Sequence, residues 1–433
     1  MDADKMILGE GEKAVFSTDC EKTGLNNNVI VCAGSGSGKT MSIMEPRLLE
    51  TYNSSLVVTC TKRRIVQKYR ELFAERGYNV LELNFTDPIK SDVAYDPLSY
   101  VSSNSDIAFL ASSIVMAHPG KINSPSDPFW DDSAISLLSA LISYVLATME
   151  CPKFVDVLDL FDRLSIKEEG STMATSLDPE FHRIIRNDPH SYAATCWKTF
   201  ATLPVRTAGS VYGVLSTTID KIFSPELRNM ISTKDKVDFK ELADRKAVLF
   251  VTTSPVNPSL NYFINMFYGQ MFKQLFEYAE SLPNGKLPNP VTVLADDFAT
   301  GSRILNFPEY ISIFREKQIS VMLLIQSETQ LESIYGYHDA VTIINNCDTY
   351  VYIGGMDIAT CRKISERLNV PLEDVLYMPV GQEVIFRRGQ RPIVTQRYNV
   401  MNNKMYQSIT QNYEKSLSIA EKCDISTKTK SRL

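Results

Sequence analysis

No two of the eight cysteines form a C-x-x-C pair, and only four histidines are present to complete a metal site. Neither a zinc site nor a disulfide framework is therefore expected, and free thiols in a reducing cytosol are. Positive charge is not in excess either: 45 Lys and Arg face 51 Asp and Glu, a formal net charge of −6. A protein that coats duplex DNA over its whole surface is usually basic, so any DNA contact here must be local, as in a channel with a basic lining. No sequence-reading DNA motif is present. Residues 1–12 carry acids and lysines, not an apolar signal segment. The longest uncharged stretch, 134–149, is shorter than a membrane span and dotted with Ser and Thr, which reads as a buried helix. These absences predict a cytoplasmic chain with no transmembrane segment. No internal repeat is visible.

What is present is the balance of an ordinary soluble protein, 44% apolar and 22% charged over 433 residues, long enough for two or three domains. Near-continuous apolar, β-branched runs recur at 28–33, 55–60, 79–83, 247–252, 290–296, 319–326 and 349–354. Such runs fit strands buried on both faces of a parallel sheet. Helical patterns between them, such as 65–75 and 260–279, predict an α/β fold with a mostly parallel sheet. Residues 101–237 break that rhythm with helical patterns at 106–115, 131–149, 154–164 and 208–223 and no convincing buried strand. The predicted organisation is therefore a nucleotide-binding domain in two parts, 1–100 and 238–400, around an all-α domain at 101–237. Residues 401–433 form a polar tail, expected to be frayed or disordered.

Directly after the first strand stands Ala33-Gly34-Ser35-Gly36-Ser37-Gly38-Lys39-Thr40, followed by a helical pattern. Apart from Ala33, where the P-loop consensus has Gly, this is a phosphate loop. Glycines let the backbone curl so that successive N–H groups point at phosphate oxygens, and the following helix adds its positive end. Lys39 would neutralise the β and γ phosphates of ATP, and Thr40 would ligate Mg²⁺. A glycine-rich turn with a chance lysine is the alternative; the order strand, loop, helix favours the phosphate loop. The run Val291-Thr292-Val293-Leu294-Ala295-Asp296-Asp297 ends in two acids. Asp296 would hold Mg²⁺ through water, and Asp297 would polarise the attacking water, where most such ATPases carry Glu. The same pair could be an ordinary turn. Gln326, at the tip of the next strand, could sense the γ-phosphate, or simply end the strand. Arg315, in the helix before that strand, could reach a neighbouring subunit's nucleotide as an arginine finger, or be a solvated surface arginine.

Further blocks resemble the conjugative coupling proteins of the TraG/TraD type, among the FtsK/HerA-like translocases. Leu25-Asn26-Asn27-Asn28 and Ser55-Leu56-Val57-Val58-Thr59 flank the loop as in the family's first block. Gly77-Tyr78-Asn79-Val80 followed by Tyr95-Asp96-Pro97-Leu98 is similar to its second. Pro128-Phe129-Trp130 resembles the Phe-Trp signature that opens its helical domain, and Asp296-Asp297-Phe298-Ala299 its acidic strand end. The most specific block runs from Gln326-Ser327-Glu328-Thr329 through Gly336 to Ile344-Asn345-Asn346-Cys347 and Gly354. The resemblance implies a RecA-like P-loop NTPase with an inserted all-α domain and a homo-hexameric ring, one that can depend on DNA for its assembly. ATP would bind between subunits, with Arg315 as the trans finger, and single-stranded DNA would pass through the channel. It also implies a relaxase partner, type IV secretion channel proteins and a place at the bacterial inner membrane.

Three departures stand out. Cys60-Thr61-Lys62-Arg63-Arg64 replaces the family's Asp-Pro-Lys-Gly-Glu, Asp297 replaces its Glu, and the N-terminal membrane helices common in the family are not seen. Candidate DNA contacts are Lys62, Arg63 and Arg64, and the cluster Arg387, Arg388, Arg391 and Arg397 around Gly389, where a hairpin is plausible. Either cluster could equally be a solvated face. Trp130 and Phe129 could stack on bases, but at a helix start they fit a core better. The function expected is an ATP-driven motor that recruits relaxase-bound single-stranded DNA and moves it toward a secretion channel. The alternatives are a non-secretory DNA translocase, or a nucleotide-binding substrate receptor with little turnover.

Overall fold

A computed structural model describes residues 4–116, 127–169, 172–254, 259–298, 300 and 302–430. Its centre is a nine-stranded sheet. In chain order the strands are β1 Val29–Cys32, β2 Ser55–Cys60, β3 Asn79–Asn84, β4 Ala247–Thr252, β5 Val291–Ala295, β6 Ile319–Ile325, β7 Thr349–Tyr352, β8 Gln382–Arg387 and β9 Ile393–Gln396. In space they run β9-β8-β7-β1-β6-β5-β2-β4-β3. The seven from β7 to β3 are parallel, and β8 and β9 add an antiparallel edge. Every residue of β1, β2, β4, β5, β6 and β7 is buried, as continuous apolar runs require when helices cover both faces. The expected α/β architecture with a mostly parallel sheet is what forms.

The helical layer between β3 and β4 includes Asn104–Met116, Pro128–Thr148, Phe154–Asp162, Tyr192–Ala201 and Val205–Ile222. Aromatic contacts bind it together: Phe181 stacks on Trp197 with centroids 3.9 Å apart, and Tyr95 packs edge-on against Phe263 and Phe267 of the long helix Ser259–Ser281. One feature of this layer differs from the expectation of helices alone. Ile166–Glu169 and Thr172–Thr175 pair as a short antiparallel hairpin. Its strands are four residues each and rich in charge and Thr, so no buried run announces them. Pro128–Thr148 is long and apolar enough to cross a bilayer, and 61% of its apolar window is buried inside the protein.

The tail expected to be frayed is instead helical over Lys404–Lys430. Its first turns dock on the helix Arg64–Glu75. Tyr406 is buried under the Lys68 ammonium, which lies 3.3 Å from its ring centroid, and the Tyr413 hydroxyl lies 3.2 Å from Gln67 Oε1. Lys68 also pairs with buried Glu45 at 2.9 Å, so one ammonium ties the tail to the helix that follows the phosphate loop. The seven cysteines whose side chains are described are free thiols.

Candidate nucleotide site

Parallel strands all end on the same edge of the sheet, so residues that follow β1, β5 and β6 are brought together there. The loop after β1 curls through Gly36 (φ 74) and Gly38 (φ 90), left-handed conformations that glycine adopts without a Cβ clash. Its base is fixed by Gly34 N–H donating to the Gly354 carbonyl (3.0 Å) and Ser37 Oγ–H donating to the Gly34 carbonyl (2.7 Å). Thr40–Met44 then winds as a π-helical turn before Glu45–Leu49 continues as α-helix. Such local widening of a helix is frequent at functional sites. Lys39 is buried, and its Nζ donates to the carbonyls of Ala33 (2.6 Å) and Gly34 (3.4 Å). Burial lowers its pKa, opposed by the charges of Asp297 and Asp296.

Asp296 and Asp297 leave the end of β5, two strands from β1, with β6 and Gln326 between. Asp297 sits at φ 52, a left-handed conformation uncommon outside glycine, though Asp tolerates it. Its N–H donates to Asp296 Oδ1 (3.2 Å), and Thr300 Oγ–H donates to its carbonyl (3.0 Å). Burial, then the charge of Asp297, push the Asp296 carboxyl up to about 6, while Lys39 and, more weakly, Lys62 hold it back. A cleft of about 160 Å³ opens beside these acids, lined by Thr59, Thr61, Thr253, Gln326 and both aspartates. Lys39, Thr40, Asp296, Asp297 and Gln326 thus share one end of the sheet. Thr40 and Asp296 carry hard oxygen donors of the kind that suit a Mg²⁺ ion. Ala299, part of the acidic block, lies outside the described residues.

Arg315 is elsewhere. It is exposed on the helix Phe307–Lys317, at the start of β6, so a strand length of about 20 Å separates it from its own phosphate loop. There it borders a cavity of about 680 Å³ with Asp19, Cys20 and Lys286.

The basic candidates are scattered. Lys62 and Arg64 are exposed at the phosphate-loop end. Arg63 pairs with Glu82, a carboxylate buried on β3, at 3.1 Å. The replacement of the family's acidic stretch by bases thus has a partner, which the lone Glu in the apolar run 79–83 could have signalled. Arg387 and Arg388 lie at the opposite end: Arg387 is half-buried over the Phe16 ring (4.3 Å), and Arg388 pairs with Asp348 at 2.9 Å. Arg391 is exposed in the β8–β9 turn, where Gly389 (φ 75) makes the expected hairpin. Arg397 returns on the far side of that hairpin and touches the phosphate loop. Trp130 packs against the core, whereas Phe129 is exposed.

The sequence profile of type IV secretory system conjugative DNA transfer proteins matches residues 2–369. Among solved structures, the bacterial conjugative coupling protein TrwBΔN70 with sulphate superposes with a TM-score of 0.67 at 15% identity, over 92% of this chain and 91% of that one. The plasmid coupling protein TrwB in complex with ADP and Mg²⁺ gives the same TM-score, identity and coverage. VirB4 of Thermoanaerobacter pseudethanolicus reaches 0.58 at 12% identity, over 94% and 99% of the two chains. These likenesses establish a RecA-like P-loop fold. No curated protein sequence matches the chain.

Proposed function

The chain belongs to the type IV secretory system conjugative DNA transfer family, and from that premise we propose that it is an ATP-driven coupling protein that moves single-stranded DNA toward the secretion channel. The observation that carries the reading is the convergence of Lys39, Thr40, Asp296, Asp297 and Gln326 at one end of the parallel sheet. TrwB, with the same fold, has been captured with ADP and Mg²⁺ and with a non-hydrolysable ATP analogue. In this chain the loop amides and Lys39 hold the β and γ phosphates of ATP. Thr40 and Asp296 would hold Mg²⁺, and the ion would offset the charge that develops on the transferring phosphoryl group. Asp297 orients the attacking water, and Gln326 faces the γ-phosphate.

Because Arg315 stands a strand length from its own loop, it serves a neighbour's nucleotide in a ring, which the hexamer of the resemblance provides. The partners are relaxase-bound single-stranded DNA and the channel proteins at the bacterial inner membrane. Lys62 and Arg64 are the DNA contacts, since Arg63, Arg387 and Arg388 are engaged within the protein. The helical segment 101–237 is an inserted domain between the two parts of the nucleotide-binding domain. A second reading, a nucleotide-dependent substrate receptor with little turnover, is favoured by Asp297, one methylene shorter than Glu and held in a left-handed backbone.

Steady-state ATP hydrolysis with and without single-stranded DNA, for wild type and Lys39→Ala, tests the proposal. Turnover stimulated by DNA and abolished in Lys39→Ala is expected. Nucleotide binding without turnover in either condition would sink the motor and leave the receptor.

A further inference from the structure

Arg397 was grouped by sequence with bases that could touch DNA, but its guanidinium points into the phosphate loop. Nη1 donates to the carbonyl of Ser37. A glycine makes the approach possible: a Cβ on Gly38 would stand only 3.0 Å from Nη1. The backbone that carries Arg397 is itself pinned. Arg397 N–H donates to the Gly381 carbonyl (2.7 Å), Glu10 N–H to the Gln396 carbonyl (2.8 Å), and Asn399 N–H to Glu10 Oε1 (2.8 Å). Glu383, fully buried on β8 with neither carboxylate oxygen hydrogen-bonded, feels the charge of Arg397.

The consequence follows from peptide geometry. In a trans peptide the C=O and the next N–H point in opposite directions. A Ser37 carbonyl held against Arg397 therefore turns the Gly38 N–H the other way, and successive amides of such a loop are the donors that cradle phosphate. We propose that Arg397 is a positioning residue of the nucleotide site, holding the Ser37–Gly38 peptide so that the Gly38 N–H faces bound phosphate. The inference rests on the phosphate-loop reading given above. It couples the β8–β9 hairpin and the N-terminal segment around Glu10 to nucleotide affinity.

The test compares wild type, Arg397→Lys, Arg397→Ala and Lys39→Ala. The readouts are equilibrium binding of a fluorescent ADP with Mg²⁺, KM and kcat for ATP, binding of single-stranded DNA, and the melting temperature. Arg397→Ala is expected to weaken ADP binding and raise KM by about 10-fold, as the loss of one charge-assisted hydrogen bond would. kcat, DNA affinity and melting temperature should change far less. Arg397→Lys, which keeps a cationic donor, is expected to restore most of the affinity, a rescue that a merely structural role would not need. If Arg397→Ala does not fold, the same comparison rests on Arg397→Lys and Arg397→Gln, with Gln expected to bind ADP more weakly than Lys. ADP affinity and KM unchanged by loss of the cation, while Lys39→Ala is impaired, overturns this proposal alone. Unchanged affinity in both overturns the nucleotide reading beneath it.

Discussion

The two ends of the parallel strands hold acids in opposite conditions. At the amino ends, Asp4 accepts N–H bonds from Tyr52 (2.9 Å), Asn53 (2.9 Å) and Ser54 (3.1 Å), and the Ser54 hydroxyl at 2.5 Å. Burial alone would raise its pKa, yet Arg47 at 3.9 Å and these donors hold it below the usual carboxylate value. Asp348 likewise accepts the Asn26 N–H and pairs with Arg388. At the carboxyl ends, Asp296 receives an N–H from Asp297 and is pushed up to about 6 by burial and by that neighbour's charge. One end spends its polar groups on itself and is built for rigidity. The other keeps two acids beside a buried lysine at a cost in stability, which is how functional sites commonly look.

Arg315 is the exception at the amino end: exposed, and forming no ion pair among the described residues. If it serves the carboxyl end of another subunit, Arg315→Ala should lower DNA-stimulated ATP turnover by about 10³-fold or more, ~4 kcal/mol of transition-state stabilisation, while nucleotide binding stays at the wild-type level. The sharper form mixes Arg315→Ala with Lys39→Ala, because a ring containing both variants regains some sites with an intact loop and an intact finger. Turnover in the mixture above that of either variant alone is the expected result. No recovery, with both variants assembling normally, would return Arg315 to the structural end of the comparison.

A substitution inside the satisfied end should cost stability and nothing else. Asp4→Ala removes five hydrogen bonds, the one from the Asn53 side chain included, and leaves Arg47, 3% exposed, as an uncompensated buried charge. Breaking a buried pair from one side costs about 3–5 kcal/mol. Chemical denaturation should show that loss, with the ADP affinity of the remaining folded protein unchanged. A comparable loss of nucleotide affinity would mean that the two ends are mechanically coupled.

The sequence disclosed the carboxyl end far better than the amino end, for a physical reason. A phosphate loop, a pair of acids after an apolar strand and a Gln after the next are local signals, and the parallel topology alone brings them together. Asp4 and Arg47 pair across 43 residues of chain, which no local pattern reveals. Arg397 shows the same limit: its neighbours in sequence are a basic hairpin, while its neighbours in space are the glycines of the loop. The helix Lys404–Lys430 was missed because polar residues dominate it and docking rests on Tyr406 and Ile409. Domain class was legible from strand rhythm, since buried strands on both sides of a helical stretch leave few other architectures.

Asp296 gives the smallest effect and the most direct contrast. Its folded-state pKa stands at about 6 against an ordinary value of 3.8, so the native protein binds that proton more tightly than the unfolded chain does. Stability from this group is therefore fully present below about pH 4 and is lost as pH rises through about 6. Above that range the ionised carboxylate is a net penalty, and Asp296→Asn should raise unfolding stability by about 1–3 kcal/mol at pH 7–8. The same variant should flatten the pH dependence of stability between about pH 4 and 6, and abolish Mg²⁺-dependent turnover. Asp4→Ala and Asp296→Asn each remove one carboxylate from one end of the same strands. Opposite signs of their stability changes in paired denaturation curves would establish the division of labour; equal losses would show that Asp296 is a structural acid like Asp4.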